Sequence, residues 1–265
     1  MIETLWRGRD PFAGFPSNLY QHDLQGWYAQ HPYLTEAMDA VRPALVVEIG
    51  VWKGASVLTM AGRLRELGLD AALIAIDTWR GSWEHWTIYP EWFDHLSMAH
   101  GQSKMMHKFM GNVVETGLTD IIVPLPLDSL NACHVLAHYG LRPDVIHLDG
   151  GHDYEAVISD LRHWWPMLAD DGLFIGDDYR HNGDWPGVRR AFDEFFEELG
   201  RMPIEHHDGK CRVYKNAARD PAKPVEEADA TAVADEPPPP APDWEQVPQA
   251  GPAQTLHSRL RRLLG

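Results

Sequence analysis

Four titratable side chains fall at matched places within one stretch of the chain. The apolar run Val145–Leu148 ends in Asp149, with His152 three residues on, and a second run, Leu173–Gly176, ends in the acidic pair Asp177–Asp178. Two such runs joined by a helix-length segment predict parallel neighbours in one sheet, linked by a right-handed crossover. Their carboxyl ends then share the edge at which open α/β sheets bind ligands, so three carboxylates and one imidazole meet in a single crevice. Left unneutralised, adjacent carboxylates repel strongly, and the pattern predicts a bound cation or raised carboxyl pKa values. Any one of these aspartates could simply cap a turn, but three at matched strand ends beside His152 favour chemistry.

The connecting segment has the spacing this needs. Tyr154, Val157, Ile158, Leu161, Trp165 and Leu168 form an apolar stripe at helical period, Asp153 complements the helix start, and Gly172 marks the turn after it. Earlier, Leu45-Val46-Val47-Glu48-Ile49-Gly50 reads as a strand, and Val51-Trp52-Lys53-Gly54-Ala55-Ser56 opens a helix. This is the first βα turn of a doubly wound sheet, where glycines admit a ligand to the backbone. Trp52 stands where a dinucleotide fingerprint needs its second glycine, so a pyrophosphate is crowded out and a dehydrogenase is disfavoured. The next strand, Leu73 to Ile76, ends in Asp77, placed to accept from ribose hydroxyls. A nucleoside carrying an amino acid end and no phosphate describes S-adenosylmethionine, with Glu48, Gly50, Gly54, Ser56 and Asp77 as the expected contacts.

With these motifs in view, the E-I-G-V-W-K-G-A-S turn, A-I-D-T-W, H-L-D-G-G-H-D-Y-E and G-D-D-Y resemble class I S-adenosylmethionine-dependent methyltransferases. They are most similar to the branch holding the macrolide-sugar O-methyltransferases and the cephalosporin-hydroxylase-like proteins, over residues 40 to 215. The resemblance implies a Rossmann-like α/β fold, a seven-stranded doubly wound sheet closed by an antiparallel C-terminal hairpin around Asp208-Gly209. It implies Mg²⁺ at Asp149, Asp177 and Asp178, although the sugar enzymes often carry Glu first in the acidic pair. It also implies His152 as the base, and adenine along the turn at Asp128 and Ser129; an N-cap role for Asp128 is the alternative. The expected activity is O-methylation of a sugar or other polyhydroxyl acceptor, a small molecule or a glycan. A metal-gripped hydroxyl would lose its proton to His152, whose free pKa is near ~6.5. Two other readings stay open: a hydroxylase-like reaction on the same acidic site, or a non-catalytic cofactor-binding module of a biosynthetic assembly.

Around this centre lie weaker signals. His147 sits inside its strand and reads as a core residue, whereas His181 follows the acidic pair and could touch substrate. Trp79, Trp83, Trp86, Tyr89, Trp92 and Phe93 crowd the segment after Asp77 without a single period, which predicts a lid at about 79–100 or a packed local cluster. His100, His107, Met105, Met106 and Met110 read as a helix beside it. Residues 1–30 form an aromatic arm that covers the site or pairs with a second subunit, and 31–216 form the main domain.

Composition fits one globular domain of 265 residues. A formal charge of −16 argues against nucleic acid as a partner. Cys133 and Cys211 suggest no disulfide framework and, with no signal peptide or membrane-length run in view, predict a cytoplasmic protein. Beyond residue 216 the chain becomes Pro-rich and acidic, a composition expected of a disordered tail. Its basic amphipathic end, Leu256 to Leu264, could dock on a partner or an anionic membrane surface, or fray at so short a length.

Overall fold

The computed structural model describes residues 1–219 apart from 28, 89, 181 and 182. The tail from 220 onward, with its amphipathic end, and His181 and Tyr89 lie outside the described residues.

Strands β1 (Leu45–Ile49), β2 (Ala72–Ile76), β3 (Ile122–Leu125), β4 (Val145–Leu148) and β5 (Leu173–Gly176) are almost uniformly buried. Such continuous apolar strands are what a parallel sheet covered on both faces requires. With β6 (Glu205–His207) and β7 (Lys210–Tyr214) they make one seven-stranded sheet of order β3-β2-β1-β4-β5-β7-β6. β1 to β5 pair in parallel, and β7 enters antiparallel beside β5 with β6 as its hairpin partner. The expected fold class and its C-terminal hairpin are therefore what the chain adopts.

Alternation along the strands divides the core. Val46, Leu73, Ala75, Ile122, Val145 and Ile175 face α2 (Pro32–Val41), α3 (Ala55–Glu66) and α6 (Met105–Glu115). Val47, Ile74, Ile146, Leu148 and Phe174 face α7 (Ser129–His138), α8 (Tyr154–Met167) and α9 (Pro186–Glu198). Helix α8 starts where the sequence indicated, with Asp153 accepting from the Ala156 N–H at 2.9 Å. Its phase differs by one residue near the end. Trp164, not Trp165, is fully buried and donates its indole N–H to Ser129 Oγ at 2.8 Å, while Trp165 packs against Phe174, Phe195 and Phe196.

Between β2 and α6 two short helices, α4 (Trp83–Thr87) and α5 (Pro90–Leu96), stand over the carboxyl edge of the sheet. Helix α6 begins at Met105; His100 belongs to the tight turn before it rather than to the helix. The N-terminal arm is pinned to the domain at two places, Trp6 donating to the Pro124 carbonyl and Asn112 clasping the Asp23 backbone through both N–H and C=O. Among the described residues no helix is long and apolar enough to cross a membrane.

Candidate active site

The parallel ladder continues one residue past the strands. Gly50 N–H donates to Ile76, Asp149 to Ile49 and Asp177 to Leu148, at 2.8–3.0 Å. The first turn and both acidic strand ends are thereby held at one level. Gly50 has φ +83°, and a Cβ there would lie 1.7 Å from the Asp149 carbonyl oxygen, so only glycine allows β1 and β4 to end so close together. A cleft of about 730 Å³ opens above them, within the range of small-molecule sites. Gly50, Ser56, Asp77, Asp128, Ser129, Asp149, His152, Asp177 and Asp178 all line it.

Glu48 and Gly54 lie behind that wall. Glu48 is fully buried and takes a 2.5 Å hydrogen bond from Ser56 Oγ, with its other oxygen 3.4 Å from His147 Nδ1. Burial pushes its carboxyl up to about 8, against the pull of the Ser56 hydroxyl. Gly54 caps α3 at φ +90°, against the Phe109 ring. Neither is among the residues that line the cleft, and both shape the turn from within. Asp77 does face the cleft, but most of its capacity is already used. Its Oδ2 accepts from the Val51 and Trp52 N–H groups at 2.9 and 3.0 Å, and its Oδ1 from Trp79 at 2.7 Å. A carboxylate offers about four acceptor sites, so roughly one remains. Asp128 is the N-cap of α7, bonded to the Asn131 backbone and side chain, and Ser129 donates to Asp160. The N-cap reading of Asp128 thus holds for a residue that also borders the cleft.

At the acidic end the structure brings together a different trio from the expected metal set. Ligand atoms of Asp149, His152 and Asp178 all lie within 4.8 Å of one another, whereas Asp177, which also lines the cleft, is outside this cluster. One Asp177 oxygen forms an ion pair with Lys210 and the other accepts from the Asp178 N–H at 2.8 Å. Lys210 is itself buried and reaches His147 Nε2 at 3.2 Å. His147 is a core residue, as expected, held neutral by burial and by the neighbouring Lys210 charge, which lower its pKa to about 3. Carboxylate repulsion therefore has two outlets. An internal ammonium balances Asp177, and burial together with Asp177 raises the Asp149 carboxyl well above the usual range.

His152 is clamped on three sides. Its ring stacks on Trp185 at 4.4 Å, Nε2 is 3.2 Å from Asp178 Oδ2, and Nδ1 is 3.7 Å from Glu84 Oε1 on α4. Burial opposes a charge on the imidazole, but Asp178 and Glu84 outweigh it and raise its pKa to about 10. Asp178 holds a left-handed backbone (φ 55°), as do Trp52 and Trp79 on the opposite wall, a clustering of strained residues common at functional sites.

Above the first turn, Trp27, Trp52, His85 and Trp92 close a circuit of ring contacts between 4.9 and 6.1 Å. All four line the cleft, so the aromatic segment contributes a wall to the site as well as a packed cluster. Arm, turn and lid meet at Lys53, which is fully buried; its Nζ bonds Asp23 at 2.6 Å and Gln25 at 3.1 Å and lies 3.2 Å from His95 Nδ1. Lys53, Glu84 and Lys210 are the working residues that local sequence reading passed over. No local pattern points to Lys210, whose pairing depends on the antiparallel register of β7 against β5.

Comparison with known proteins agrees with this architecture. The family model described as a methyltransferase domain matches residues 47–179, half of the chain. The uncharacterized protein y4gI of Sinorhizobium fredii is 28% identical over 159 residues, 59% of this chain but only 16% of that protein, so the chain spans a small part of that relative. Among solved structures, cofactor-bound Rv0187 from MTB is similar at TM-score 0.52 and 16% identity, covering 81% of this chain and 94% of that one. The O-methyltransferase TomG from Streptomyces achromogenes, solved with S-adenosylmethionine, is similar at 0.50 and 14%, covering 82% and 100%. Spanning both the first turn and the acidic strand ends, the family match shows that the chain belongs to the methyltransferase-domain family, with the Rossmann-like fold of the class I S-adenosylmethionine-dependent enzymes.

Proposed function

We propose that this protein transfers a methyl group from S-adenosylmethionine to a hydroxyl of a sugar or another polyhydroxyl acceptor, assisted by Mg²⁺. The observation that carries the reading is the meeting of Asp149, Asp178 and His152 at one end of a cleft whose other end is the Gly50–Asp77 turn.

The donor chemistry fits a hard cation. Two carboxylates with room for water are how Mg²⁺ is commonly held, and Asp177, balanced by Lys210, stands behind them. Bound by Asp149 and Asp178, the ion would polarise the acceptor hydroxyl and ease loss of its proton. The methyl carbon leaves sulfur as it bonds to the acceptor oxygen, sulfur keeping the electron pair of the broken bond. In this reading Gly50 admits the methionine end to the backbone, Asp77 offers its remaining acceptor site to ribose, and Asp128 and Ser129 border the base. His152 takes the acceptor proton at Nε2. Trp27, Trp92 and Trp185 present ring faces to the acceptor and exclude water.

The test is transfer of label from methyl-labelled S-adenosylmethionine to catechol and to methyl glycosides carrying vicinal diols. We expect O-methyl ethers formed with Mg²⁺ and lost with a chelator, while cofactor binding measured by calorimetry persists without metal. A protein that does not bind S-adenosylmethionine at all defeats the proposal; transfer indifferent to chelation defeats its metal component. Asp77→Asn replaces a charged acceptor shared by three backbone N–H groups with a neutral amide. Loss of roughly 1.5–3 kcal/mol of such bonding predicts about 10- to 100-fold weaker cofactor binding in the same calorimetric titration.

A further inference from the structure

Glu84 has no role in the reaction as described so far, and its surroundings are unusual. Its side chain is completely buried, yet neither carboxylate oxygen has a hydrogen-bond partner among the described residues. The buried Nδ1 of His152 is likewise without one, and it is the nearest imidazole nitrogen, 3.7 Å from Glu84 Oε1. Two orphaned, complementary atoms face each other just beyond hydrogen-bond length. Burying a carboxylate without a partner is strongly unfavourable, and so is leaving an imidazole N–H unpaired. One small movement of α4 toward His152 satisfies both.

The opposite ring nitrogen, Nε2, looks toward Asp178 and the cleft, and Trp185 stacks on the ring face. The imidazole is thus fixed in plane, and what remains to be set is which nitrogen carries the resident proton. A carboxylate at Nδ1 sets it, as in any carboxylate–imidazole dyad, leaving Nε2 as the nitrogen that exchanges a proton with the acceptor.

We propose that Glu84 is the positioning residue of His152, a carboxylate delivered by the lid helix α4 that holds the Nδ1 proton and directs Nε2 at the acceptor. The dyad is then built across two parts of the molecule, β4 with its loop on one side and the lid on the other. His85, the next residue along α4, lines the cleft and packs on Trp52. Seating the lid against the cofactor turn and completing the dyad become one event. Apo geometry is commonly long at such contacts and tightens on loading. Burial favours the neutral form of Glu84, but the adjacent imidazole, helped by the Ser82 hydroxyl and the Glu84 backbone N–H, outweighs it and holds the carboxyl down at about 2, so an anion is available to accept.

The inference rests on the reading of His152 as proton acceptor, but its test needs neither an acceptor nor turnover. Histidine-¹⁵N-labelled full-length protein is loaded with S-adenosylhomocysteine and Mg²⁺, and the His152 ring is observed by two-bond ¹H–¹⁵N correlation, assigned with His152→Asn. The wild type should show a proton resident on Nδ1 and protected from exchange. Glu84→Gln, which keeps shape and removes the charge, should lower that protection about tenfold, the effect of losing one such bond. Glu84→Asp, which withdraws the carboxylate by one methylene, should fall between them and carries the test if Glu84→Gln does not fold. Protection unchanged in either variant, or a wild-type Nδ1 without a resident proton, overturns the proposal. Failure of methyl transfer with this signature intact would count against the proposed reaction and not against the dyad.

Discussion

Lys210→Met should melt about 6–20 °C below the wild type in magnesium-free buffer. The ammonium of Lys210 is buried beside the carboxylate of Asp177, with Asp149 and Glu48 within reach of its field. Methionine matches its length, so packing is nearly conserved and the lost quantity is charge. Breaking a buried ion pair by removing one partner typically costs about 3–5 kcal/mol, because the other charge is left uncompensated. At about 2–4 °C per kcal/mol for a domain of this size, that gives the range above. The deficit should depend on pH with a definite sign. Asp149, whose carboxyl is already raised above its unfolded value by burial and by Asp177, loses the Lys210 charge that pulls it down. Its folded form is then favoured most when protonated, below the unfolded pKa, and is progressively penalised as pH rises through the folded pKa. The melting difference should therefore widen from pH 5 to pH 8. Magnesium should restore part of it, since it supplies positive charge at the same strand ends. A variant melting within 2 °C of the wild type across that range would mean that the Asp177–Lys210 pair carries little of this balance.

That ion pair also marks what the sequence could and could not say. Asp149, Asp177 and Asp178 were legible because each follows an apolar run short enough to be a strand, and the βαβ rule needs only local pattern to put their ends on one edge. Gly50 was legible for a similar reason: β1 ends, a helix begins, and a close approach between them requires glycine. Lys210 was not. Its partner lies 33 residues away in sequence, and the pairing depends on the antiparallel register of Cys211 opposite Gly176, which no periodicity announces. Without Lys210 three carboxylates looked equivalent; with it, Asp177 is set apart and Asp149, Asp178 and His152 form the trio. Lys53 was hidden in the same way. A lysine in a glycine turn reads as solvent-facing until the arm supplies Asp23 and the lid supplies His95. The aromatic segment had no single period because it is two short helices and a turn, each presenting a different face. In α8 the phase slipped from Trp165 to Trp164 near the C-terminal turn that contains Pro166, where neighbouring tryptophans serve two partners. Local rules gave the scaffold and the acids, and long-range charge pairing decided their roles.

The largest catalytic effect is expected at His152. Replacement by alanine should lower turnover about 10²- to 10⁴-fold, the usual contribution of a positioned proton acceptor, with S-adenosylmethionine affinity nearly unchanged. Affinity should hold because the Gly50–Asp77 turn, on which the cofactor is proposed to lie, is tied together by its own hydrogen bonds to Asp77 and takes none from the imidazole. The wild-type pH profile gives a second view. Between Asp178 and Glu84 the ring is pushed up to about 10, so at neutral pH without a divalent ion it is mostly protonated and a poor acceptor. A divalent ion beside Asp178 pulls that value down, so turnover measured with Mg²⁺ should rise with pH from 7 onward, since the competent form is the deprotonated one. His152→Ala should shrink this limb, and what remains of it belongs to Asp149, whose carboxyl is also held above the usual range by burial and by Asp177. Glu84→Gln should move the limb to lower pH by removing one of the two carboxylates that hold the proton on the ring. Single-turnover methylation rates across pH 6–10 for the three proteins decide the matter: parallel profiles in wild type and His152→Ala would take the imidazole out of the proton transfer, and the acidic pair would have to act without it.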